Sequence, residues 1–458
     1  MRNSLAKLIL CLAIVLQTSF LVAQNVVVTG RVNRTNTNIS LLVYEDLFTW
    51  QPAEVSKSVT DGKGFFILET NVNQVMPAAL KIGMDMVDFY VLPNSDFDIV
   101  VTIPENEANQ SYFDRPMPKM RFRKADDKGI NRQINTIDAI FTSYMLDHYV
   151  EICRGREYNY LDSIRNDIRK TLPEIKNNYV NDYMDYKLAS LRTILDADGG
   201  VKVKSEYFAQ NPVLYAQPAY VELFKELYRD CFFNNNSSSC FDEAFHTSTV
   251  KMMECLENDR MLSKNKQLAE MVLAYNLFKL YDERSTHKLA AKHLAYLQKS
   301  ASFASNKRVV NNFLDKRNKY SNGADAPCFI LRDVNGKEVK MTDYSDKMLL
   351  LQFVDKYVPM HDRHFERLKE LRNQWNDTIQ IITISTKENI SSYSSKFKAM
   401  HIDWPLLNLG NNTELLEQYD VRMFPEYFII KRGNKIGMAP APAPDQFLDK
   451  YVTGLYGK

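Results

Sequence analysis

The chain has 458 residues, too many for one ordinary hydrophobic core, so we expect two or three domains. Its 58 Lys and Arg residues nearly balance its 56 Asp and Glu residues, and this interspersed charge gives no reason to expect a nucleic-acid partner. Tyr and Phe, at 25 residues each, predict aromatic-rich cores, and the low count of 15 glycines suits a substantial helical part.

Residues 1–23 predict a signal peptide. Arg2 and Lys7 carry positive charge around the start of an apolar run over residues 8–16, and Ala23 is a small residue at the predicted cleavage point. An uncleaved membrane anchor is the alternative, although the run is short for a membrane span. No other stretch of the sequence is apolar enough to cross a bilayer. We therefore expect an exported protein without a transmembrane segment after cleavage, on the periplasmic or extracellular side of a bacterial envelope.

Residues 25–104 predict a small β-sandwich. Short apolar runs alternate with turn signals, as where residues 61–64 (Asp-Gly-Lys-Gly) precede the run over residues 65–68. Residues 60–66 resemble part of an uncharacterised β-sandwich domain that is often found ahead of envelope thioredoxin-like domains. That resemblance implies no catalytic residues. The polar residues 105–130, of mixed charge, predict a linker.

Residues 131–320 predict an irregular helical domain. Apolar side chains recur at the helical repeat, for example at Ile134, Ile137 and Phe141, without a repeat of fixed period. The pattern favours an antiparallel array of helices. We interpret its aromatic stripes as core rather than as a ligand site.

Five cysteines lie outside the predicted signal peptide, so at least one is unpaired or pairs between molecules. None has the Cys-x-x-Cys spacing. Cys231 and Cys240 flank an Asn/Ser-rich loop and are the candidate disulfide in an oxidising compartment. Buried free thiols on helices are an equal alternative.

Residues 323–458 predict an α/β domain. The apolar strand over residues 349–353 leads through a short turn into a helix that places Phe365, Leu368 and Leu371 on one face. A second apolar run, residues 379–384, predicts a central parallel strand that is covered on both faces.

This frame resembles the TlpA-type and AhpC-TSA-like thioredoxin-like family over about the last third of the chain. The family carries an aromatic residue and then Cys-x-x-Cys at the start of the helix. Here Tyr357 takes the aromatic position, and the two cysteine positions fall on Val358 and His361. The resemblance also implies a cis bond between Phe424 and Pro425. The predicted fold class is a multidomain α+β protein with an N-terminal β-sandwich, a central helical domain and a C-terminal thioredoxin-like domain.

The substitutions at Val358 and His361 exclude ordinary dithiol chemistry at this turn, because exchange needs a thiolate and a resolving thiol beside it. We therefore predict no catalytic residue at these degenerate positions, no cofactor and no metal. His361 and His364 have a spacing that can bind a metal ion. Histidines near a helix start are more often surface or capping groups, which is our interpretation here.

The resemblance also implies a binding groove, lined by Tyr357, Pro359, Met360, Phe424 and Pro425. There an extended peptide or an envelope protein would pair with the backbone, which requires no cysteine. We thus expect a redox-inactive binding or scaffolding module. One alternative is a thiol–disulfide oxidoreductase or peroxidase that uses the displaced Cys328. A purely structural envelope protein is a third possibility.

Overall fold

The protein is described by a computed structural model that covers residues 25–83, 85–104, 116–123, 129–196, 198–232, 238–375, 378–410 and 412–456. The predicted signal peptide, residues 1–23, lies outside these ranges. Two sheets at the N-terminus, a central helical region and a C-terminal α/β domain follow one another, which confirms the predicted fold class. No helix within the described ranges is both long and apolar enough to cross a membrane.

The N-terminal part is a sandwich of two four-stranded sheets. The first sheet has the order β4-β1-β7-β8 and the second the order β3-β2-β5-β6. Alternate residues of β1 are buried, as the pleat of a half-covered strand requires. The strands are β1 (Asn25–Val32), β2 (Asn38–Val43), β3 (Ala53–Val59), β4 (Phe65–Asn71), β5 (Met76–Ile82), β6 (Asp85–Val91), β7 (Ser95–Thr102) and β8 (Lys119–Phe122).

Strand β8 lies inside the predicted linker, so the prediction of a linker over residues 105–130 was wrong for this segment. It pairs antiparallel with β7 at the edge of the first sheet. Met120 and Phe122 pack against the sandwich core, whereas Lys119 and Arg121 are exposed. A four-residue strand in which charged and apolar residues alternate gives only a weak sequence signal. Residues 105–115 and 124–128 of the predicted linker lie outside the described residues.

The central region is helical and is built around buried aromatic side chains, as the sequence predicts. Phe208 lies 4.9 Å from Tyr220 between ring centroids, and Phe224 lies 5.0 Å from Tyr228. A π-helical turn (Lys204–Phe208) follows α5. The helices are α1 (Ile130–Asp147), α2 (Tyr149–Cys153), α3 (Asn159–Thr171), α4 (Asn178–Leu195), α5 (Val201–Val203), α6 (Pro218–Tyr228), α7 (Ser238–Thr247), α8 (Thr249–Glu257), α9 (Lys266–Asp282), α10 (His287–Ser300) and α11 (Ala304–Asn318).

The loop between β2 and β3 inserts into the helical region. Leu47 and Phe48 belong to the helical core cluster, and the Leu47 N–H donates to the carbonyl of Tyr215 at 3.0 Å. The ring of Phe48 meets that of Phe224 edge-on, with centroids 4.9 Å apart. The buried carboxylate of Asp46 accepts a 2.8 Å hydrogen bond from the Phe48 N–H and holds the loop in shape. The sandwich and the helical region therefore share a core.

The disulfide of the helical region joins Cys240 on α7 to Cys255 on α8, with their Cα atoms 6.0 Å apart. The predicted Cys231–Cys240 bond is therefore wrong, and Cys231 is a free thiol. Helices α7 and α8 pack side by side, which brings two cysteines 15 residues apart together. Cys231 instead follows α6 and packs against the helical core, where burial raises the pKa of its thiol to about 11.

The C-terminal domain contains a seven-stranded mixed sheet with the order β10-β9-β13-β12-β11-β14-β15. The central strand β11 is buried along its whole length, and it runs parallel to β12 and antiparallel to β14. The elements are β9 (Ile330–Asp333), β10 (Glu338–Lys340), β11 (Met348–Val354), α12 (Met360–Gln374), β12 (Ile379–Ser385), α13 (Ile390–Ala399), β13 (Leu406–Asn408), α14 (Glu414–Gln418), β14 (Glu426–Lys431), β15 (Lys435–Ala441) and α15 (Leu448–Tyr456).

Alternate residues of β11 pack into two different core clusters. Leu349 and Leu351 contact one cluster together with α14, and Leu350 contacts the other together with α12, α13 and α15. Because successive side chains of a strand point to opposite faces, these clusters lie on opposite faces of the sheet. The turn between β11 and α12 lies at the edge of the second cluster.

Candidate functional site

The candidate site is the turn that connects β11 to α12. Asp355, the first residue after β11, is buried, and its Oδ1 accepts hydrogen bonds from Thr386 Oγ1 at 2.5 Å and Asn389 Nδ2 at 2.8 Å. These bonds fix the direction in which the chain leaves the sheet. Pro359 then stands immediately before the first residue of α12, where its fixed φ suits a helix start.

His361, at the second position that the resemblance aligns with a cysteine, is buried, with 1% of its surface exposed. Its Nδ1 lies 2.7 Å from the hydroxyl of Tyr393 on α13 and accepts a longer bond of 3.4 Å from the Val358 N–H. Because Nδ1 accepts a hydrogen bond from a backbone N–H, the ring proton lies on Nε2. Among the described residues, Nε2 has no hydrogen-bond partner. Burial, reinforced by the nearby His364, lowers the pKa of His361 to about 4, so the imidazole is neutral at pH 7.

His364, one turn later on α12, is also buried and joins a second set of hydrogen bonds. Its Nδ1 lies 2.8 Å from the hydroxyl of Tyr427 on β14, and its Nε2 lies 3.4 Å from Asp445 Oδ1. Burial lowers the pKa of His364, although Asp445 opposes the shift. Both histidines are therefore interior groups, and their interpretation as surface or capping residues was wrong.

The hydrogen-bond chain continues across the sheet beneath α12. Gln352 Nε2 donates to the Tyr427 hydroxyl at 3.0 Å, and Gln352 Oε1 accepts from Thr383 Oγ1 at 3.1 Å. Thr383 Oγ1 in turn accepts from the indole N–H of Trp404 at 3.0 Å. Each of these polar groups lies inside an apolar core, where a hydrogen bond prevents a large desolvation cost.

A polar cluster lies at the rim of the turn. The hydroxyl of Tyr357 donates a short hydrogen bond to Asp362 Oδ1, and Lys396 Nζ lies 3.2 Å from Asp362 Oδ2. Lys396 also lies 4.8 Å from the centre of the Tyr357 ring. The bond from Tyr357 and then the Lys396 ammonium lower the pKa of Asp362. Tyr357 is thus held in place by charged neighbours.

Nowhere in the described ranges do three or more His, Cys, Asp or Glu side chains gather as a metal site requires. His361 and His364 each direct Nδ1 toward a tyrosine hydroxyl.

The Phe424–Pro425 bond is cis, which confirms the prediction for that position. The carboxylate of Glu426 accepts a 2.9 Å hydrogen bond from the Arg422 N–H. This hydrogen bond closes the loop that contains the cis peptide bond. Met423, next to the loop's centre, is 64% exposed.

Residues 346–436 match the family model described as thioredoxin-like. The C-terminal domain of this chain is thioredoxin-like. It is similar to the thiol–disulfide oxidoreductase ResA of Bacillus subtilis, with 23% identity over 129 residues, which are 28% of this chain and 72% of the relative. ResA of Geobacillus thermodenitrificans is 24% identical over 132 residues, again 28% of this chain and 74% of the relative.

Among solved structures, the thioredoxin domain of a thiol–disulfide oxidoreductase from Bacteroides vulgatus is similar to this chain. The similarity covers 30% of this chain and 98% of that domain. The sequence identity is 20% and the TM-score is 0.27. A thiol:disulfide interchange protein from Bacteroides sp. gives the same identity and TM-score over 30% of this chain and 89% of its own.

Within the thioredoxin-like domain, the predicted groove residues differ in exposure. Pro359 and Met360 are exposed, whereas Tyr357, Phe424 and Pro425 are half-buried. Phe424 packs against the core cluster of the α14 face. Whether these five side chains bind a peptide stays a prediction.

Cys328 lies apart from the turn. Its thiol is exposed, and its sequence neighbour Phe329 packs on the sheet face that carries α14, opposite to α12. Its Sγ lies 3.7 Å from the Ala326 carbonyl. The structure therefore does not bring Cys328 together with Val358 or His361.

The sequence did not indicate that Tyr393 on α13 and Asn389, immediately before α13, hold the turn. Both lie more than thirty residues along the chain from their partners. No spacing signal in the sequence pairs a tyrosine with a histidine at that separation.

Proposed function

We propose that this chain is an exported cell-envelope protein whose thioredoxin-like domain binds an extended peptide or a partner protein and does not exchange disulfides. The observation that carries this proposal is the state of His361. The position of the second family cysteine is filled by a buried imidazole that is bonded to Tyr393.

The chemistry of thiol–disulfide exchange supports the proposal that this domain does not exchange disulfides. Thiol–disulfide exchange needs an attacking thiolate and a resolving thiol. Val358 offers no nucleophile, and burial keeps His361 neutral, so neither side chain replaces a cysteine. Cys328 is the domain's one cysteine, and its neighbours Ala326 and Phe329 pack into the core cluster on the other face of the sheet.

The exposed apolar side chains beside the turn support the proposal that this domain binds a peptide or a partner protein. Met360, a residue of the predicted groove, is 37% exposed, and Met423, which precedes Phe424 of the groove, is 64% exposed. Methionine adapts to irregular apolar partners because its side chain is flexible and polarizable. In strand addition the main-chain hydrogen bonds hold the peptide, so binding does not depend on cysteines in the binding protein.

Export is supported by two independent features. Residues 1–23 have the charge and apolar run of a signal peptide. The Cys240–Cys255 disulfide also suits an oxidising compartment. N-terminal sequencing of the protein from an envelope fraction should begin near Gln24. A cytoplasmic protein that begins at Met1 would contradict export.

The binding test uses a labelled, permanently unfolded polypeptide without cysteine, titrated with the full chain and followed by fluorescence anisotropy. Met423→Asp should weaken binding about fivefold or more, because a charge replaces an apolar contact worth roughly 1 kcal/mol. Val334→Asp, at an exposed apolar residue in the β9–β10 turn of the same domain, is the matched control. Equal affinities for wild type, Met423→Asp and Val334→Asp would reject this groove.

The enzyme alternative rests on the exposure of the Cys328 thiol. Insulin reduction and peroxide consumption are measured for wild type and Cys328→Ser. We expect no turnover above background from either protein. Turnover by the wild type that disappears in Cys328→Ser would replace the binding proposal with an oxidoreductase or peroxidase.

A further inference from the structure

A cleft of about 1170 Å³ lies in the N-terminal half of the molecule, far along the chain from the thioredoxin-like domain. It separates α1 from the edge of the first sheet, and its walls include Leu92, Asp96, Arg121, Phe122, Arg132 and Ile140. Pockets for small molecules usually measure about 300–1,000 Å³, so this cleft suits a longer ligand.

One wall of the cleft is the edge strand β8. In the first sheet β8 pairs with β7, and no other described strand lies against its outer edge. The Arg123 N–H donates to the Asp98 carbonyl at 2.8 Å. In an antiparallel ladder, alternate residues face the neighbouring strand. The N–H and C=O groups of Met120 and Phe122 therefore point away from β7, toward the edge where no described strand lies.

The side chains of this edge alternate in character. Met120 and Phe122 pack toward the sandwich core, whereas Lys119, Arg121 and Arg123 are exposed on the outer face. A strand added beside β8 would place every second side chain next to these cations. Its other side chains would lie beside Met120 and Phe122.

We propose that β8 and the adjoining cleft bind an extended peptide in which acidic and apolar residues alternate, as a fifth strand of the first sheet. Backbone pairing to Met120 and Phe122 holds the peptide, and its acidic residues pair with Lys119 and Arg121. Ile140 and Leu92 supply apolar surface in the cleft. Asp96 and Asp98 belong to β7, one strand further from the edge, and Asp98 is paired with Arg123 at 3.7 Å.

The probe is a blocked seven-residue peptide of alternating Glu and Val, titrated into the full chain by calorimetry. A peptide with Lys in place of Glu is the charge control. We expect the Glu peptide to bind, the Lys peptide to bind at least about tenfold more weakly, and added salt to weaken the Glu peptide. No binding of the Glu peptide, or equal binding of both, would overturn the proposal.

Two pairs of variants locate the site. Met120→Pro removes an outward-facing N–H, whereas Met120→Ala keeps it, and both lose the same apolar side chain. Arg121→Glu reverses a charge on the edge, and Lys57→Glu makes the same change on β3 of the second sheet, where Lys57 is exposed.

Binding should fall much further in Met120→Pro, which loses the backbone N–H, than in Met120→Ala, which loses only the side chain. It should fall by about 3- to 10-fold in Arg121→Glu and stay unchanged in Lys57→Glu. Circular dichroism checks that each variant is folded. If Met120→Pro does not fold, the comparison of Arg121→Glu with Lys57→Glu tests the proposal. If Arg121→Glu bound the Glu peptide with wild-type affinity, the proposal would be overturned. It would also be overturned if a second copy of the chain displaced the peptide.

Discussion

The hydroxyl of Tyr393 lies 2.7 Å from Nδ1 of His361, and both side chains are buried. This pair joins the start of α12 to α13 at the position where the resembled family carries its second cysteine. In this chain, the residue at that position therefore has a structural role. Changes to it should alter the free energy of unfolding.

The first prediction concerns pH. Burial lowers the pKa of His361 from 6.5 to about 4, so the unfolded chain binds the proton before the folded one as pH falls. Stability is therefore lost on acidification. We expect this histidine alone to lower the free energy of unfolding by about 2 kcal/mol between pH 7.5 and pH 5. Urea unfolding at the two pH values measures the change.

His361→Gln is the control for that experiment, because it removes the titrating group. The pKa values of His364 and His293 are also lowered by burial, so part of the pH dependence should persist in the variant. The same loss of stability in wild type and His361→Gln would show that His361 is not buried in its neutral form.

The second prediction concerns the hydrogen-bond chain through the sheet. Tyr427→Phe leaves Gln352 Nε2 and His364 Nδ1 without the hydroxyl that each contacts. Each buried polar group without its partner costs about 1–3 kcal/mol, so loss of the hydroxyl from both should lower the free energy of unfolding by about 2–6 kcal/mol. Tyr451→Phe, at an exposed tyrosine on α15, should change it by less than about 0.5 kcal/mol. Equal effects of the two substitutions would argue against this buried chain.

The third prediction concerns the cysteines. Peptide mapping without reductant should find Cys240 linked to Cys255, which enclose a loop of about 15 residues. Cys255→Ser should therefore lower the free energy of unfolding by about 3 kcal/mol. In the folded protein, the exposed Cys328 should be alkylated faster than Cys231, whose thiol has a pKa raised by burial. A linked peptide that contains Cys231 would contradict the assignment.

The fourth prediction concerns the loop that joins the sandwich to the helical region. Phe48→Ala removes a buried ring that contacts Phe224, and such a truncation typically costs about 3–5 kcal/mol. Phe65→Ala removes an exposed ring from the same sandwich and should cost far less. Thermal unfolding of the two variants measures the difference. A Phe48→Ala protein as stable as Phe65→Ala would mean that the two parts do not share a core.

The strand–turn–helix frame of the thioredoxin-like domain could be predicted because its signals are local. Phe365, Leu368 and Leu371 recur at the helical repeat, and all three are fully buried. The cis bond before Pro425 was implied by the family resemblance and is present.

The features that could not be predicted depend on contacts between distant parts of the chain. Cys240 pairs with Cys255 because two short helices pack together, whereas its nearer neighbour in sequence, Cys231, packs against the helical core as a free thiol. The burial of His361 likewise follows from the packing of α13 beside α12, which supplies Tyr393. The edge strand β8 carries too few apolar residues to stand out from a linker.

The most direct test of the central claim is an insulin-reduction assay of the wild type beside the double variant V358C/H361C. The double variant restores Cys-x-x-Cys at the start of α12, where the helix dipole favours a thiolate. We predict no turnover by the wild type and clear turnover by the double variant, since the frame is retained and only the thiols are missing. Turnover by the wild type at the rate of the double variant would contradict the claim that this domain binds without exchanging disulfides.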